Sequence, residues 1–193
     1  MIYPLVDLPS SYKQNNLGVV LRDLVIRYKP SKIIEFGVLH AYSSIHMAQG
    51  LQQNLNRGHI IACDLWGKYD YNHTTMDVAQ KNIDDARLSH YVTFWQADYY
   101  QWLENPCKFN LLHLDLSNDG DIIEQTLTKL APQIDAGAVI IFEGGSKERD
   151  NVDWMKKYNK RPINPLQKKF GFEILDERFP SISIATKSCL NQR

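Results

Sequence analysis

Short apolar runs alternate along most of the chain with segments that repeat apolar residues at helical spacing. The apolar runs cover residues 32–37, 59–65, 92–98, 109–116 and 138–144, and the helical patterns cover 15–28, 43–55, 74–88, 99–105 and 121–131. Lys29 and Pro30 end the first helical pattern before the first apolar run begins. Strands that alternate with helices in this way predict a parallel sheet.

The C-terminal part of the chain has a different pattern. Residues 172–179 and 181–188 form two strand-like runs that are separated by little more than Pro180. Such a short link allows only an antiparallel hairpin. We therefore predict one α/β domain over residues 1–193, a Rossmann-like three-layer sandwich. Its seven-stranded, mostly parallel sheet ends in an antiparallel hairpin, and the helical segment 1–30 packs on the sheet.

The charged segment 146–161 lies between the last parallel strand and the hairpin. Its positive and negative charges nearly cancel, so it does not resemble an arm that binds a polyanion. It predicts a solvated helix with Trp154 and Met155 facing inward. Lys147 and Arg149 could meet an anionic substrate, but we interpret them as solvent-exposed charges.

Acidic residues close the predicted parallel strands. These residues are Glu35, Asp64, Asp98, Asp115 and Glu143. Because the carboxyl ends of parallel strands face one crevice of the sheet, we expect the five carboxylates to gather near one rim.

The turn after the first strand lies where open α/β sheets bind cofactors, since Gly37 follows an apolar run and Ser43 begins a helical pattern. A dinucleotide turn carries three glycines, and only Gly37 is present here, which disfavours NAD. S-adenosylmethionine (SAM) has no pyrophosphate, so the backbone of the turn does not need to approach this cofactor as closely. The acidic side chain of Glu35 suits its amino group and sulfonium.

Composition narrows the choice of partners. Lys and Arg together number 22, as do Asp and Glu. A chain without net charge has no bulk field to hold a polyanion, so we expect a small molecule rather than nucleic acid or an anionic membrane. Cysteines 63, 107 and 189 lack the spacing of a zinc site and suit reduced thiols. With no signal-peptide pattern or long apolar run, the sequence predicts a cytoplasmic protein.

Several motifs recur in a familiar order. They are EFGVLHAYSS at 35–44, DLWG at 64–67, Ala97-Asp98, the run 109–116 and the segment 130–143. In this order they resemble class I SAM-dependent methyltransferases of the small-molecule O-methyltransferase branch, over almost the whole chain. His40 and Ala41 stand where glycine or threonine is usual in that family, and Asp135-Ala136-Gly137 replaces a Pro-Gly-Gly turn.

The resemblance implies a cofactor site along these motifs. Asp64 would accept hydrogen bonds from the ribose hydroxyls, Ala97 and Asp98 would contact the adenine, and the helix that begins near Ser43 would hold the methionine carboxylate. The expected cofactor-binding residues are Glu35, Phe36, Gly37, Val38, Tyr42, Ser43, Asp64, Leu65, Trp66, Ala97, Asp98, Tyr99 and Asp115.

Three residues are candidates for catalysis. Asp115 is the first choice for contacting the substrate or the methionine part of the cofactor, and a turn acid is the alternative interpretation. His73 could act as a base, although it also fits a plain helix start. Metal-dependent O-methyltransferases of this branch pair an Asp of the fourth strand with an Asp-Asn sequence after the fifth strand. At the second of these places this chain has Glu143 and Gly144. That departure argues against metal dependence, with a two-carboxylate magnesium site as the alternative. We expect His113 to be a core histidine.

We therefore predict a SAM-dependent methyltransferase that acts on a small molecule, such as a sugar or phenolic hydroxyl. One alternative is a methyltransferase-like protein that binds a cofactor or partner without turnover, and another is an NAD-dependent reductase. The two glycines at 144 and 145 predict a backbone turn that needs unusual torsions or a close approach of the substrate. The acceptor site would come from the N-terminal segment, from residues 66–75 or 144–165, or from a neighbouring subunit of a homodimer.

Overall fold

The computed structural model describes residues 7–55, 57–68 and 74–190. Within them, the strands are β1 (Lys32–Phe36), β2 (His59–Asp64), β3 (Val92–Gln96), β4 (Leu111–Leu114), β5 (Val139–Glu143), β6 (Glu173–Asp176) and β7 (Ile182–Thr186). The α-helices are α1 (Leu17–Tyr28), α2 (Tyr42–Asn54), α3 (Met76–Asp85), α4 (Tyr99–Glu104), α5 (Gly120–Leu130), α6 (Lys147–Asp150), α7 (Asp153–Lys157), α8 (Gln167–Phe170) and α9 (Lys187–Leu190).

The strands form a mixed sheet in the order β3-β2-β1-β4-β5-β7-β6. β1 pairs with β2, β2 with β3 and β4 with β5 in parallel, whereas β7 runs antiparallel to β5 and β6. These pairings confirm the predicted fold class, including the antiparallel C-terminal strands. The chain divides into two compact units, residues 1–107 and 108–193; the single domain over 1–193 stays a prediction. Among the described residues, no helix is both long and apolar enough to cross a membrane.

In the first unit, α1 packs against α2 through two glycines. A Cβ at Gly18 would lie 2.2 Å from Cδ2 of His46, and a Cβ at Gly50 would lie 2.8 Å from the carbonyl oxygen of Arg22. The two helices can approach this closely only because glycine has no side chain. Parallel pairing sets Phe36 beside Cys63, which brings the carboxyl ends of β1 and β2 next to each other.

In the second unit, β4 and β5 are buried along their whole length. Glu143 at the end of β5 lies opposite Ile182 of β7. After β4, the carboxylate of Asp119 accepts the backbone N–H groups of Asp121 and Ile122, each at 3.0 Å, and so caps α5. The polar segments that follow β4 and β5 therefore start from rigid, buried strands.

The predicted helix over 146–161 is wrong, because two short helices replace it. α6 ends at Asp150, and α7 begins at Asp153. The carboxylate of Asp150 accepts the backbone N–H groups of Ile163 and Asn164 at 2.9 and 2.7 Å. These bonds fix the end of α6 to a later segment. Of the side chains predicted to face inward, Met155 is buried and Trp154 is half-buried.

Candidate active site

In the first unit, the loop between β1 and α2 has a left-handed backbone at three positions. Gly37 has φ 90°, Leu39 has φ 50° and Ala41 has φ 66°. The backbone N–H of Gly37 donates to the carbonyl oxygen of Cys63 at 3.0 Å, and that of Ala41 donates to Val38 at 2.8 Å. The chain thus makes a tight turn with two non-glycine residues in a conformation that glycine adopts at less cost.

The carboxylate of Asp64 holds this loop against the end of β2. Its Oδ2 accepts the N–H groups of Val38 and Leu39 at 2.8 and 3.1 Å, and its Oδ1 accepts those of Leu65 and Trp66 at 2.7 and 3.2 Å. The side chain is half-buried. Four amide dipoles therefore converge on one partly exposed carboxylate, which ties the loop to the end of β2.

Glu35 lies beneath the loop, with no solvent exposure. Its two carboxylate oxygens accept hydrogen bonds from the hydroxyl groups of Ser43 and Ser44, in the first turn of α2. Because both serines are also buried, Glu35 fixes the start of α2 to β1. The structure thus places Glu35 as a residue that positions the helix N-terminus.

Aromatic side chains surround the ends of β1 and β3 in the same unit. Phe36 contacts Tyr99 edge-on, with ring centroids 5.3 Å apart. Trp66 has φ 40° and packs edge-on against Phe94, with centroids 6.0 Å apart. The indole Nε1 of Trp66 is buried and has no hydrogen-bond partner among the described residues. Trp66 is therefore a strained, buried residue whose indole N–H is unpaired among the described residues, and such groups often mark functional sites.

Further residues of the first unit that the sequence predicted as site residues lie in or near the same loop or next to α4. Val38 and Tyr42 are buried in or next to the loop, and the backbone N–H of Ala97 donates to the carbonyl oxygen of Asp64 at 3.1 Å. Asp98 caps α4 by accepting the N–H of Gln101 at 2.9 Å. His73 lies outside the described residues.

Two residues that the sequence analysis did not identify as site residues support the loop after β1 and the segment after β2. The side-chain amide of Asn82 in α3 donates to the carbonyl oxygen of His40 at 3.0 Å, and that of Gln96 in β3 donates to Leu65 at 2.8 Å. These are ordinary polar residues on a helix and a strand, and only their partners in space reveal their role.

In the second unit, Asn118 joins the ends of β4 and β5. Its Nδ2 donates to the carbonyl oxygens of Leu114 at 3.0 Å and Glu143 at 2.9 Å. Asp115, directly after β4, is half-buried. His113 on β4 is fully buried, as predicted for a core histidine. The turn composition around 115–120 predicted a loop, but it gave no sign that Asn118 is buried.

Glu143 holds Arg149 in a buried ion pair. Nε of Arg149 donates to Oε1 and Oε2 at 2.8 and 3.1 Å, and Nη2 donates to Oε2 at 2.7 Å. The interpretation of Arg149 as a solvent-exposed charge is wrong, since it is 1% exposed; Lys147 is exposed, as predicted. Burial alone lowers the pKa of Arg149, but the bonds and charge of Glu143 outweigh it and raise the pKa above its ordinary value.

The two glycines after Glu143 lie where a side chain would not fit. Gly144 and Gly145 have φ 107° and 109°, which confirms the predicted turn with unusual torsions. A Cβ at Gly144 would lie 2.6 Å from Cδ1 of Ile163. The ring of Trp154 lies over the guanidinium of Arg149, 4.5 Å from its centroid to Cζ. The ion pair is therefore enclosed on several sides.

Comparisons with known proteins agree on one class. Residues 34–143 match the family model of a methyltransferase domain. No curated protein matches the chain. Its fold is similar to the O-methyltransferase from Bacillus cereus in complex with SAH, at 20% identity and a TM-score of 0.63 over 96% of this chain and 84% of that chain. It is also similar to the O-methyltransferase TomG from Streptomyces achromogenes, involved in tomaymycin synthesis and in complex with SAM, at 18% identity and a TM-score of 0.62 over 94% and 82% of the two chains. Cofactor-bound Rv0187 from MTB gives 17% identity and a TM-score of 0.65 over 94% and 84%.

Proposed function

This chain belongs to the methyltransferase domain family, and we propose that it transfers the methyl group of SAM to a hydroxyl group of a small molecule. The observation that carries the proposal is the convergence of Asp64 with the loop of Gly37, Val38 and Leu39 at the end of β1. The bacterial O-methyltransferases similar in fold were solved with SAM or SAH, which is in keeping with this proposal.

The residues of the first unit suit SAM chemically. Asp64 is a partly exposed carboxylate, and its two longest bonds, to Leu39 and Trp66, are the ones that ribose hydroxyls would replace. Trp66, two residues after Asp64 in the chain, has a buried Nε1–H without a partner among the described residues. The first turn of α2, fixed by Glu35, offers amide groups and the positive end of the helix dipole to a carboxylate.

We retain the same set of cofactor-binding residues as a proposal, with a different role for Glu35. Since its carboxylate is buried and bonded to Ser43 and Ser44, it acts by positioning α2. Phe36 and Tyr99 supply an apolar wall, and Asp98 a helix cap next to it.

When bound, SAM supplies an electrophilic methyl group, which an oxygen nucleophile takes by in-line displacement. Asp115 is our candidate for holding the acceptor and taking its proton, because it is half-buried and directly follows a rigid strand. Glu143 would serve catalysis indirectly, since both of its oxygens already accept hydrogen bonds from Arg149.

A divalent metal does not fit the donors that surround Glu143. The guanidinium of Arg149 neutralises this carboxylate, and Gly144 has no side chain to act as a further ligand. The described residues contain no group of three or more His, Cys, Asp or Glu side chains that could hold a metal ion. We therefore propose methyl transfer that relies on the protein's own side chains.

We also propose that the acceptor is a small, roughly neutral molecule and that the protein acts in the cytoplasm. The equal numbers of acidic and basic residues support a small, roughly neutral acceptor, because they give no field for a polyanion. A homodimer remains a proposal that sedimentation at several protein concentrations would test.

Calorimetric titration with S-adenosylhomocysteine (SAH), with NAD as the control, tests the cofactor. Release of SAH from SAM in the presence of phenolic and sugar acceptors then tests turnover. We expect SAH to bind and NAD to fail. Binding of NAD alone would overturn the proposal, and binding of SAH without turnover of any acceptor would favour the cofactor-binding protein instead.

A further inference from the structure

Two buried polar atoms of the second unit lack a hydrogen-bond partner among the described residues. They are Nη1 of Arg149 and Oδ1 of Asn118. Both side chains are almost fully buried. Nη2 of Arg149 donates to the carbonyl oxygen of Asn118 at 2.7 Å, so the unpaired donor and the unpaired acceptor belong to neighbouring residues. Buried groups of this kind are normally paired, and an unpaired one often marks a functional role.

Neither atom can find a partner by a simple rotation of its side chain. A flipped Asn118 amide would set Oδ1 against the carbonyl oxygens of Leu114 and Glu143, which now accept from Nδ2. Arg149 is held through Nε and Nη2 on the carboxylate of Glu143. The rest of the network therefore fixes the direction of both unpaired groups.

The charges nearby select the kind of group that could pair with them. Glu143 already neutralises Arg149, and the charges of Asp150 and Asp115 also act on the guanidinium. A further anion would be repelled by three carboxylates. A hydroxyl group suits both atoms, because one oxygen accepts a hydrogen bond from Nη1–H and donates its own proton to Oδ1.

We propose that Arg149 and Asn118 form a binding subsite for a hydroxyl group of the small-molecule substrate. Its place in the reaction rests on the proposed methyl transfer. Trp154 stacks on the guanidinium and is half-buried, so it forms one wall beside Arg149. Bound here, the substrate would have its hydroxyl group oriented by the pair.

Nuclear magnetic resonance of the arginine side chains tests the subsite directly. The wild-type protein, with ¹⁵N-labelled arginine, is titrated with phenol, catechol and glucose. We expect at least one of these probes to shift the Arg149 resonances saturably. In Arg149→Lys, which keeps a cation beside Glu143 but removes Nη1, we expect affinity for that probe to fall roughly tenfold or more. Arg178→Lys alters an exposed ion pair with Asp176 and serves as the matched control.

Each outcome decides the proposal. If no probe shifts the Arg149 resonances of the wild-type protein, or if a probe binds Arg149→Lys as tightly as wild type, the subsite is overturned. The wild-type titration suffices even if the variant does not fold. SAH binding on the same samples separates the two proposals: a probe response without SAH binding overturns the cofactor and leaves the subsite standing.

Discussion

The carboxylate of Asp64 accepts the backbone N–H of Val38 at 2.8 Å, and this bond ties the loop after β1 to the end of β2. We expect Asp64→Ala to weaken SAH binding by roughly tenfold to a hundredfold, because charge-assisted hydrogen bonds to the ligand and to the loop are both lost. Calorimetry measures the change.

Asp85→Ala is the matched control for this variant, since it removes an exposed carboxylate that pairs with Lys81 on α3. Its SAH affinity should equal that of the wild-type protein. If Asp64→Ala also binds SAH normally, the proposed cofactor site is wrong.

The buried pair of Glu143 and Arg149 should behave as a unit in denaturation. We expect Arg149→Met or Glu143→Leu alone to lower the free energy of unfolding by about 3–5 kcal/mol, because each leaves a buried charge without its partner. The double variant should lose much less than the sum of the two. Urea denaturation of the three variants gives the coupling energy.

Arg178→Met provides the comparison for the buried pair. Arg178 pairs with Asp176 through two nitrogens, as Arg149 does with Glu143, but its guanidinium is exposed. We expect a loss of less than about 1 kcal/mol. A similar loss at both sites would mean that burial does not set the energy of the Arg149 pair.

The hydroxyl group of Ser44 should contribute more to the free energy of unfolding than a serine at an exposed site does. Ser44→Ala removes the hydrogen bond that Ser44 donates to the buried carboxylate of Glu35, so we expect a loss of about 1.5–3 kcal/mol in unfolding free energy. Ser89→Ala removes a similar bond to the carboxylate of Asp84 at an exposed site and should cost about 0.5 kcal/mol or less. Equal losses would contradict the role given to Glu35.

Acid should destabilise the first unit through His46. Burial, with a smaller contribution from the charge of Arg22 on α1, lowers the pKa of this histidine from 6.5 to about 4. The ring of Tyr42, on the same helix, also contacts His46. The unfolded chain therefore takes up a proton between pH 6.5 and 4 while the folded chain does not. The contribution of neutral His46 to the free energy of unfolding is fully present above pH 6.5, and it falls by about 3 kcal/mol as the pH drops to 4.

Unfolding at a series of pH values checks this dependence. His46→Leu should lose less stability than wild type over that range, whereas His90→Leu, at an exposed site, should follow wild type. An unchanged slope in His46→Leu would show that other groups control the acid response.

The fold could be predicted because it follows from local patterns. The alternation of apolar and helical segments and the short link at Pro180 already require parallel strands and a terminal hairpin. Asp64 was predictable too, since its place at a strand end depends on its neighbours in sequence. The left-handed Leu39 and Ala41 were not, because residues with a Cβ seldom adopt that conformation.

Arg149 shows why the buried ion pair of the second unit escaped prediction. Its charge lies in a polar segment, where lysines and arginines are usually exposed. It turns inward because Ser146 caps a short helix and Asp150 ends that helix by bonding to Ile163, thirteen residues away. Hydrogen bonds between segments that are distant in the chain produce no periodic pattern of residues, so the sequence alone does not predict them.

The packing of α1 on α2 has a practical consequence for work with fragments of this chain. The match to the family begins at Ile34 and ends at Glu143, so a fragment with those boundaries would omit α1 and β7. It would expose the glycine-bearing face of α2 to water. It would also leave β5 with an open edge, which invites aggregation between copies. Expression designs should therefore reach well beyond the matched residues at both ends.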